Sequence, residues 1–380
     1  MRMLVLGAGL QGSACTYDLL QNPEVSQVRL ADVHFDHLPD FLKPLSGPRL
    51  IPTTLDVRDR EAVLAVMREA DAVMSAIPYY FNLALAECAV EAGVHFCDLG
   101  GNTEIVFQQK ALAERAAAKG VTIVPDCGVA PGMVNILAEH GIKQLDAVES
   151  VRIYVGGLPQ SPEPPLNYQV VYSLEGVLDY YTTLSWVLRD QKRTQVLALS
   201  ERECVEFPAP TGELEAFHTA GGLSTMAFRY EGQIPEMEYK TLRYPGHAAI
   251  MEAIRELGLL DIDPVDVKGT KVIPRDLFMA VVGPKLNKPK GKDLLALRVI
   301  VKGQKDGKPA ERRFDLLDRY DEVHGISAMM RTTGYSLSIT GQMQARGQVG
   351  PPGVWTPDEC VPAEAYIAEL RGRGVEIEES

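Results

Sequence analysis

Met3-Leu4-Val5-Leu6-Gly7-Ala8-Gly9-Leu10-Gln11-Gly12 carries an apolar strand straight into a Gly-x-Gly-x-x-Gly turn. Such a stretch builds a dinucleotide site. Gly7 permits the tight turn, Gly9 lets a pyrophosphate approach bare backbone, and Gly12 lets the following helix pack on the strand. The helix opening at Leu10 and Gln11 then faces the phosphates with free N–H groups. A second apolar run, Val28-Arg29-Leu30-Ala31, ends in Asp32, 20 residues after Gly12. A doubly wound sheet places there the acid that accepts hydrogen bonds from the adenosine ribose, and a carboxylate repels a 2′-phosphate, so NAD is expected over NADP. The alternative is a structural glycine turn with an unrelated surface acid.

The composition suits a globular protein of two or three domains: 380 residues, 46% hydrophobic and 23% charged. A formal net charge of −13 argues against nucleic acid or anionic lipid as partner, because no basic block offsets it. Only Lys285 to Lys292 is locally basic, and Pro284, Pro289 and Gly291 within or beside it suggest a solvated loop. The chain shows neither a leader pattern nor an apolar run of membrane-spanning length, so a cytoplasmic location is expected. Six cysteines without Cys-x-x-Cys pairs and seven histidines without ligand spacing point to reduced thiols and no metal site.

The first 130 residues alternate short apolar runs with helical periodicity, as a doubly wound parallel sheet requires. Strands are expected at Met3 to Leu6, Val28 to Ala31, Arg49 to Thr53, Ala72 to Ser75, His95 to Asp98 and Thr122 to Val124. Helices are expected at Glu61 to Glu69, Leu83 to Ala92 and Glu104 to Lys119. Ligands of such sheets lie beyond the carboxyl ends of the strands. Asp56 and Val57 therefore border the adenine, Ala76-Ile77-Pro78 passes the nicotinamide side, and Asp98 and Pro125 to Gly128 finish the rim. Asp56 and Asp98 equally suit helix caps. Past Gly132 the pattern reads as an α+β substrate domain. Strands are expected at Val148 to Val155, Val267 to Ile273 and Leu294 to Lys302, and helices at Leu174 to Leu188 and Ala248 to Leu257. Gly303 to Gly307 should turn the chain into a partner strand, Arg312 to Leu317. After Thr333 the chain becomes helical and glycine-broken, closing with helical spacing from Pro362 to Arg371. The expected division is 1–131, 132–333 and 334–380.

At Leu242-Arg243-Tyr244-Pro245-Gly246-His247 the chain resembles the saccharopine dehydrogenase superfamily, most closely its lysine 6-dehydrogenase branch. Asp126 to Gly132, Tyr172-Ser173-Leu174-Glu175-Gly176, Phe217 to Gly222 and the tail from Gly341 carry the same resemblance. It implies a Rossmann domain completed by the C-terminal segment, an inserted mixed-sheet domain with the substrate pocket and subunit contacts, and a homodimer or larger homo-oligomer. The saccharopine-forming branch carries Asp before Pro-Gly where this chain has Ala130. The implied reaction is NAD-dependent oxidation of the ε-amine of L-lysine to 2-aminoadipate 6-semialdehyde, ammonia and NADH. The alternatives are a saccharopine-type or carboxynorspermidine-type reductase acting on a secondary amine, and a non-catalytic NAD-binding redox sensor.

Amine oxidation by hydride loss needs the neutral amine, and a lysine ε-ammonium titrates near about 10.4, so a proton acceptor is required. Asp126, at a strand end before a glycine-rich turn, is one candidate; capping the next helix is its other reading. His247 titrates in the useful range, although most single histidines are structural. A substrate α-carboxylate calls for a guanidinium or an ammonium, and Arg243 and Lys240 are the expected anchors unless they pair with Glu236 and Glu238. Tyr244 and Tyr172 are expected in the same pocket, with Glu175 balancing a substrate ammonium.

Overall fold

The computed structural model describes residues 1–35, 38–288 and 291–380. Strands β1 (Arg2–Leu6), β2 (Gln27–Asp32), β3 (Leu50–Thr54), β4 (Ala72–Ser75), β5 (His95–Asp98) and β6 (Thr122–Val124) alternate with helices. These are α1 (Leu10–Gln21), α2 (Arg60–Met67), α3 (Asn82–Ala92), α4 (Thr103–Lys110) and α5 (Ala113–Ala118). All six strands pair in parallel in the order 3-2-1-4-5-6. The order reverses between β1 and β4, where such sheets open their ligand crevice. Because helices cover both faces, β1 and β4 are buried almost throughout, which explains their unbroken apolar runs. The single helix expected over Glu104 to Lys119 is two, separated at Ala111 and Leu112.

Helix α6 (Met133–Lys143) leads into the second unit. Its elements are β7 (Ala147–Pro159), α7 (Leu174–Thr182), β8 (Ser185–Arg189), β9 (Lys192–Val196), β10 (Glu203–Phe207) and β11 (Gly212–His218). There follow α8 (Met226–Arg229), β12 (Glu236–Arg243), α9 (His247–Glu256), β13 (Val265–Val267), β14 (Thr270–Val272), α10 (Pro274–Leu286), β15 (Asp293–Lys305) and β16 (Lys308–Arg319). The long central β7 pairs in parallel with β12 and antiparallel with β15, so the sheet is mixed, as expected. The chain closes with α11 (Ala328–Ala345), β17 (Gly353–Val354), α12 (Pro357–Cys360), α13 (Ala363–Arg371) and β18 (Glu378–Glu379). β17 joins β6 in parallel as the seventh strand of the first sheet, and β18 edges the second against β16.

Several expectations change in this half. The helix over Leu174 to Leu188 stops at Thr182, and Ser185 onward is strand β8. Val267 to Ile273 is not one strand, because Lys268 and Gly269 adopt positive φ of 53° and 86° and fold a hairpin. Turns with both central residues at positive φ match strand twist. The turn after β15 tightens to Asp306 and Gly307 for the same reason. Helix α10 runs through Pro284 to Leu286, so the basic stretch begins in a helix rather than a loop; Pro289 and Lys290 lie outside the described residues. In the tail the glycine breaks come only after Ala345, where Gly347 and Gly353 adopt positive φ of 65° and 148°. Gly334 and Gly341 sit inside α11, which crosses position 333 without interruption. A Cβ at Gly334 would lie 2.8 Å from the Gln11 carbonyl oxygen, and one at Gly341 2.3 Å from Met74 Sδ. These glycines let α11 press against α1 and the first sheet. Among the described residues no helix is long and apolar enough to cross a membrane.

Candidate active site

The crevice at the β1/β4 switch point continues under the second sheet as one cavity of about 590 Å³. Gly9, Leu10, Gln11, Ala76, Ile77 and Pro78 line its first-sheet side. The glycine turn has the geometry its sequence implies. Gly7 has φ +100°, and a Cβ on Gly12 would stand 1.8 Å from the Gly7 carbonyl oxygen, whereas Gly9 faces open space. No side chain caps α1, and both polar atoms of the Gln11 amide are buried without a partner. Buried polar groups are normally satisfied, so an uncapped helix start beside an orphaned amide fits a polar anion lying along Gly9 to Gln11. Asp32 ends β2, where Oδ2 accepts the Ala8 N–H at 2.6 Å and Oδ1 accepts the His34 N–H at 3.3 Å. The residues present fit a dinucleotide.

One of the expected cofactor contacts is corrected. Asp98 is fully buried, 0% exposed, and accepts hydrogen bonds from the Gly100 N–H and Gln109 Nε2, both at 2.7 Å. Burial raises its pKa to about 6. It shapes the loop after β5 and does not face the crevice. Asp56 and Val57 stay part-exposed just beyond β3, Asp56 clasping Arg58 through both carboxylate oxygens, Oδ2 to Nη2 at 2.6 Å, and Val57 resting partly on the core of the α2/α3 face.

On the substrate side, strand alternation sorts the candidates. Tyr239, Thr241 and Arg243 point from β12 into the cavity. Lys240 points the other way, because residues three apart on a strand occupy opposite faces. Its Nζ donates to Glu203 Oε1 at 2.7 Å and to the Glu201 carbonyl at 2.8 Å, so it is removed from the substrate pocket. There it joins an ion network in which Arg189 Nη2 reaches both Glu201 (2.8 Å) and Glu238 (2.6 Å) beside His218. Tyr244 is corrected too, its hydroxyl donating to the Pro159 carbonyl at 3.0 Å outside the cavity wall.

Arg243 is the cation of the cavity wall, 3% exposed. Its Nε donates to the Tyr181 hydroxyl at 3.1 Å, its Nη1 to the Leu242 carbonyl at 2.8 Å, and it stacks 4.7 Å over Tyr168. No ion pair engages it among the described residues; Glu236 and Glu238 pair with Arg189 instead. Guanidinium remains charged in proteins, so a buried one without a counter-anion is poised for a ligand carboxylate. His247 lies behind it and does not line the cavity. Its Nδ1 is 3.0 Å from the Leu166 carbonyl, which can only accept, so Nδ1 carries the proton and Nε2 accepts from the Tyr181 hydroxyl at 3.0 Å. Burial, reinforced by Arg243, pushes the His247 pKa down to about 3. The imidazole stays neutral and orients Tyr181 and Arg243, which corrects the proton-transfer role.

Asp126 is corrected likewise. It is buried behind Gly100, where a Cβ would meet Asp126 Oδ1 at 1.6 Å, and it accepts from the Gly101 N–H at 3.2 Å and from the Ser224 hydroxyl. Burial, partly offset by Ser224 and reinforced by Asp98, raises its pKa to about 7. A carboxyl whose folded pKa exceeds its unfolded value of about 3.9 stabilises fully only below that value and loses the contribution as pH rises through 7. Asp126→Asn keeps an acceptor for the Gly101 N–H, lets its amide N–H donate to the Ser224 hydroxyl oxygen in place of the bond it accepted, and removes the titration. The melting temperature of the variant minus that of the parent should therefore grow by a few degrees between pH 5 and pH 8. A flat difference across that range contradicts the assignment.

Tyr172 and Glu175 do line the cavity. Ser173 caps α7 through the Gly176 N–H at 3.3 Å, which leaves Glu175 in the exposed first turn at the rim. The sequence reading missed Asp179, Tyr180, Tyr239 and Thr241. Asp179 and Tyr180 follow from Glu175 and Gly176 by one helical turn, and Thr241 and Tyr239 follow from Arg243 by strand alternation. Asp179 is held by Arg275 Nη1 at 2.6 Å.

Fold and crevice together define a dinucleotide-binding oxidoreductase of the amino-acid dehydrogenase kind. The chain belongs to the saccharopine dehydrogenase family. Residues 3–124 match the model "Saccharopine dehydrogenase NADP binding domain", and residues 128–375 match "Saccharopine dehydrogenase C-terminal domain". It is 23% identical to the Saccharomyces cerevisiae "Saccharopine dehydrogenase [NADP(+), L-glutamate-forming]", covering 99% of this chain and 98% of that one. A relative of the same description from Pyricularia oryzae aligns at 26% identity over 55% of this chain and 48% of its own length. The Synechocystis "Carboxyaminopropylagmatine dehydrogenase" is 20% identical over 98% and 96% of the two chains. Among solved structures, apo saccharopine dehydrogenase (L-Glu forming) from S. cerevisiae superposes with a TM-score of 0.80 at 21% identity, covering 100% of this chain and 99% of that one, which shows the fold.

Proposed function

We propose that the chain oxidises the ε-carbon of L-lysine with NAD as hydride acceptor, by the balance R–CH2–NH3⁺ + NAD⁺ + H2O → R–CHO + NH4⁺ + NADH + H⁺. The observation that carries the reading is Arg243, a buried guanidinium on the wall of a cavity whose other wall is the dinucleotide crevice. Gly9 to Gln11 hold the pyrophosphate, Asp32 the ribose and Ala76 to Pro78 the nicotinamide side. Nicotinamide supplies the hydride acceptor when bound. Arg243 takes the α-carboxylate, oriented by Tyr181 and the neutral His247. Glu175 at the rim balances the substrate ammonium and passes its proton to solvent. Residues 132–333 act as the substrate domain. Purified protein given lysine and NAD should yield NADH and ammonia in equal amounts; neither product appearing refutes the reading.

NAD is read over NADP although the matching domain model is described as NADP-binding. Asp32 places a carboxylate where a 2′-phosphate would sit, and no lysine or arginine occurs from residue 33 to 42. Asp32→Asn keeps the acceptor for the Ala8 N–H and removes the charge. The kcat/KM ratio of NADP to NAD should rise on the order of tenfold, the effect of about 1–2 kcal/mol of repulsion at a solvated site. An unchanged ratio removes Asp32 from coenzyme selection.

A second reading, oxidation of a secondary amine of the same acid, is favoured by the full-length match to saccharopine dehydrogenase and by a further chamber opening from the first.

A further inference from the structure

Among the described residues 13 large hydrophobic side chains are exposed, and seven of them fall between residues 257 and 281. Apolar residues scattered singly on a surface need no explanation, but a concentration of them marks a face that something covers. Leu257, Leu259 and Ile262 follow the end of α9, Val265 and Val267 lie on β13, and Leu277 and Val281 lie on α10. None of the seven belongs to a hydrophobic cluster of the chain.

The hairpin has two unlike faces. Its register sets Val265 opposite Val272 and Val267 opposite Thr270, which puts three valines on one face, and Asp266 opposite Lys271 on the other. Every residue from Asp261 to Lys271 is exposed, and among the described residues the two strands pair only with each other. A two-stranded hairpin is marginal in water unless something packs on its apolar face. Helix α10 repeats the pattern. Phe278, Met279, Val282 and Leu286 pack inward, whereas Leu277, Ala280, Val281 and Pro284, spaced i, i+3, i+4 and i+7, are exposed. A helix apolar on both sides is suited to burial on both.

Charge and size say what covers this face. The chain as a whole carries −13, yet the stretch from Leu257 to Leu286 holds four aspartates against four lysine and arginine residues. A two-fold contact brings a patch against itself, so a patch of one sign would repel its own copy, and a neutral patch of mixed sign does not. From Leu257 to Lys285 there are 19 exposed residues, near the roughly 20–30 that each side of a standard interface contributes. We propose that a second copy of this chain docks here, on the valine face of β13–β14 and the outer side of α10, through a two-fold contact. The helix it covers also braces the cavity. Arg275 of α10 holds Asp179 at 2.6 Å and donates to the Thr182 hydroxyl at 3.1 Å, so the partner copy backs the helix that carries Glu175 and Tyr180 of the cavity wall.

Sedimentation velocity on the full chain should find a dimer at about 50 μM. Val281→Glu and, separately, Val267→Glu should each weaken it on the order of a hundredfold, because a two-fold contact buries the new carboxylate twice. Both sites are exposed in the single chain, so each variant should keep the parent's melting temperature and its affinity for NADH. Val323→Glu, at a site 85% exposed outside this face, should leave the dimer intact. Lysine cross-linking reads the contact on the unaltered protein: links that join two chains should fall on Lys268, Lys271 and Lys285. A parent that stays monomeric at that concentration, a dimer that survives both carboxylates, or inter-chain links confined to other lysines overturns the assignment. A monomeric parent that binds phosphatidylcholine vesicles through this face would give it to a membrane and overturn the assignment as well.

Discussion

Arg243→Met is expected to lower kcat/KM for L-lysine on the order of a thousandfold while leaving the folded protein as stable as the parent or more so. Loss of one partner of a buried, hydrogen-bonded charge pair costs about 3–5 kcal/mol, and in the ternary complex the substrate carboxylate is the partner left behind. Without substrate the situation inverts. Arg243 is then a desolvated cation held by Tyr181, a carbonyl and the face of Tyr168, with no carboxylate to repay its burial. Methionine matches the apolar stem and packs on the same ring. Tyr181 keeps its donation to His247 Nε2, so the relay behind the site loses an end and not its middle. The expected signature is a large rise in KM, little change in NADH affinity, and a melting temperature equal to or above that of the parent. Pentane-1,5-diamine, which is lysine without its carboxylate, should react equally slowly with both proteins. A variant that loses activity on the diamine as well, or that melts far below the parent, would show Arg243 to be a structural cation.

The first domain was legible because its strands are buried on both faces. Uninterrupted runs such as Ala72 to Ser75 and His95 to Asp98 coincide with the observed strands residue for residue, and the glycine turn and the β4 exit mark where the crevice opens. In the second unit the same double burial hid the signal. All but the first residue of β12 are buried, one face turned to the cavity and the other carrying Leu242 and the ion network of Glu238 and Lys240. Its sequence, Glu236-Met237-Glu238-Tyr239-Lys240-Thr241-Leu242-Arg243, alternates only as far as Lys240 and then breaks the period with Thr241, Leu242 and Arg243. Unrecognised as a strand, it presented Lys240, Arg243, Tyr244 and His247 as one polar cluster. Period two separates Lys240 from Arg243, the reversal after β12 carries Tyr244 toward Pro159, and the start of α9 buries His247 behind Tyr181. Asp98 and Asp126 misled for a related reason. Strand ends in these sheets point toward ligands, but an acid there can instead collect the N–H groups of the loop that follows, and Gly100 and Gly101 offer theirs. In the tail, Gly334 and Gly341 read as breaks, since glycine disfavours helix interiors. The close approach of α1 and the first sheet, invisible in sequence, is what they serve.

Two neighbouring glycines of the turn separate folding from coenzyme binding, and Gly12→Ala and Gly9→Ala are expected to diverge sharply. An alanine Cβ at position 12 would stand 1.8 Å from the Gly7 carbonyl oxygen and 3.3 Å from Ala76 Cβ. The first obstacle is backbone and cannot rotate away, so α1 must lift from β1, at a cost of at least about 1–3 kcal/mol, the range for overpacking a tight interior. The Gly12 variant should melt well below the parent and lose NADH affinity by a hundredfold or more, because the displaced helix start no longer aims its N–H groups along the crevice. Gly9 is the opposite case. Its φ of −69° is open to any residue, and nothing lies within 4 Å of its would-be Cβ. The Gly9 variant should melt at or slightly above the parent's temperature, since restricting the unfolded chain favours the native state by about 0.4–1 kcal/mol. It should nevertheless bind NADH at least tenfold more weakly, because the added methyl occupies the path by which a pyrophosphate reaches bare backbone. Thermal melts and NADH fluorescence titrations of the pair read both quantities. Normal NADH binding by the Gly9 variant would mean that no pyrophosphate passes this turn, and the coenzyme reading of the crevice would fall with it.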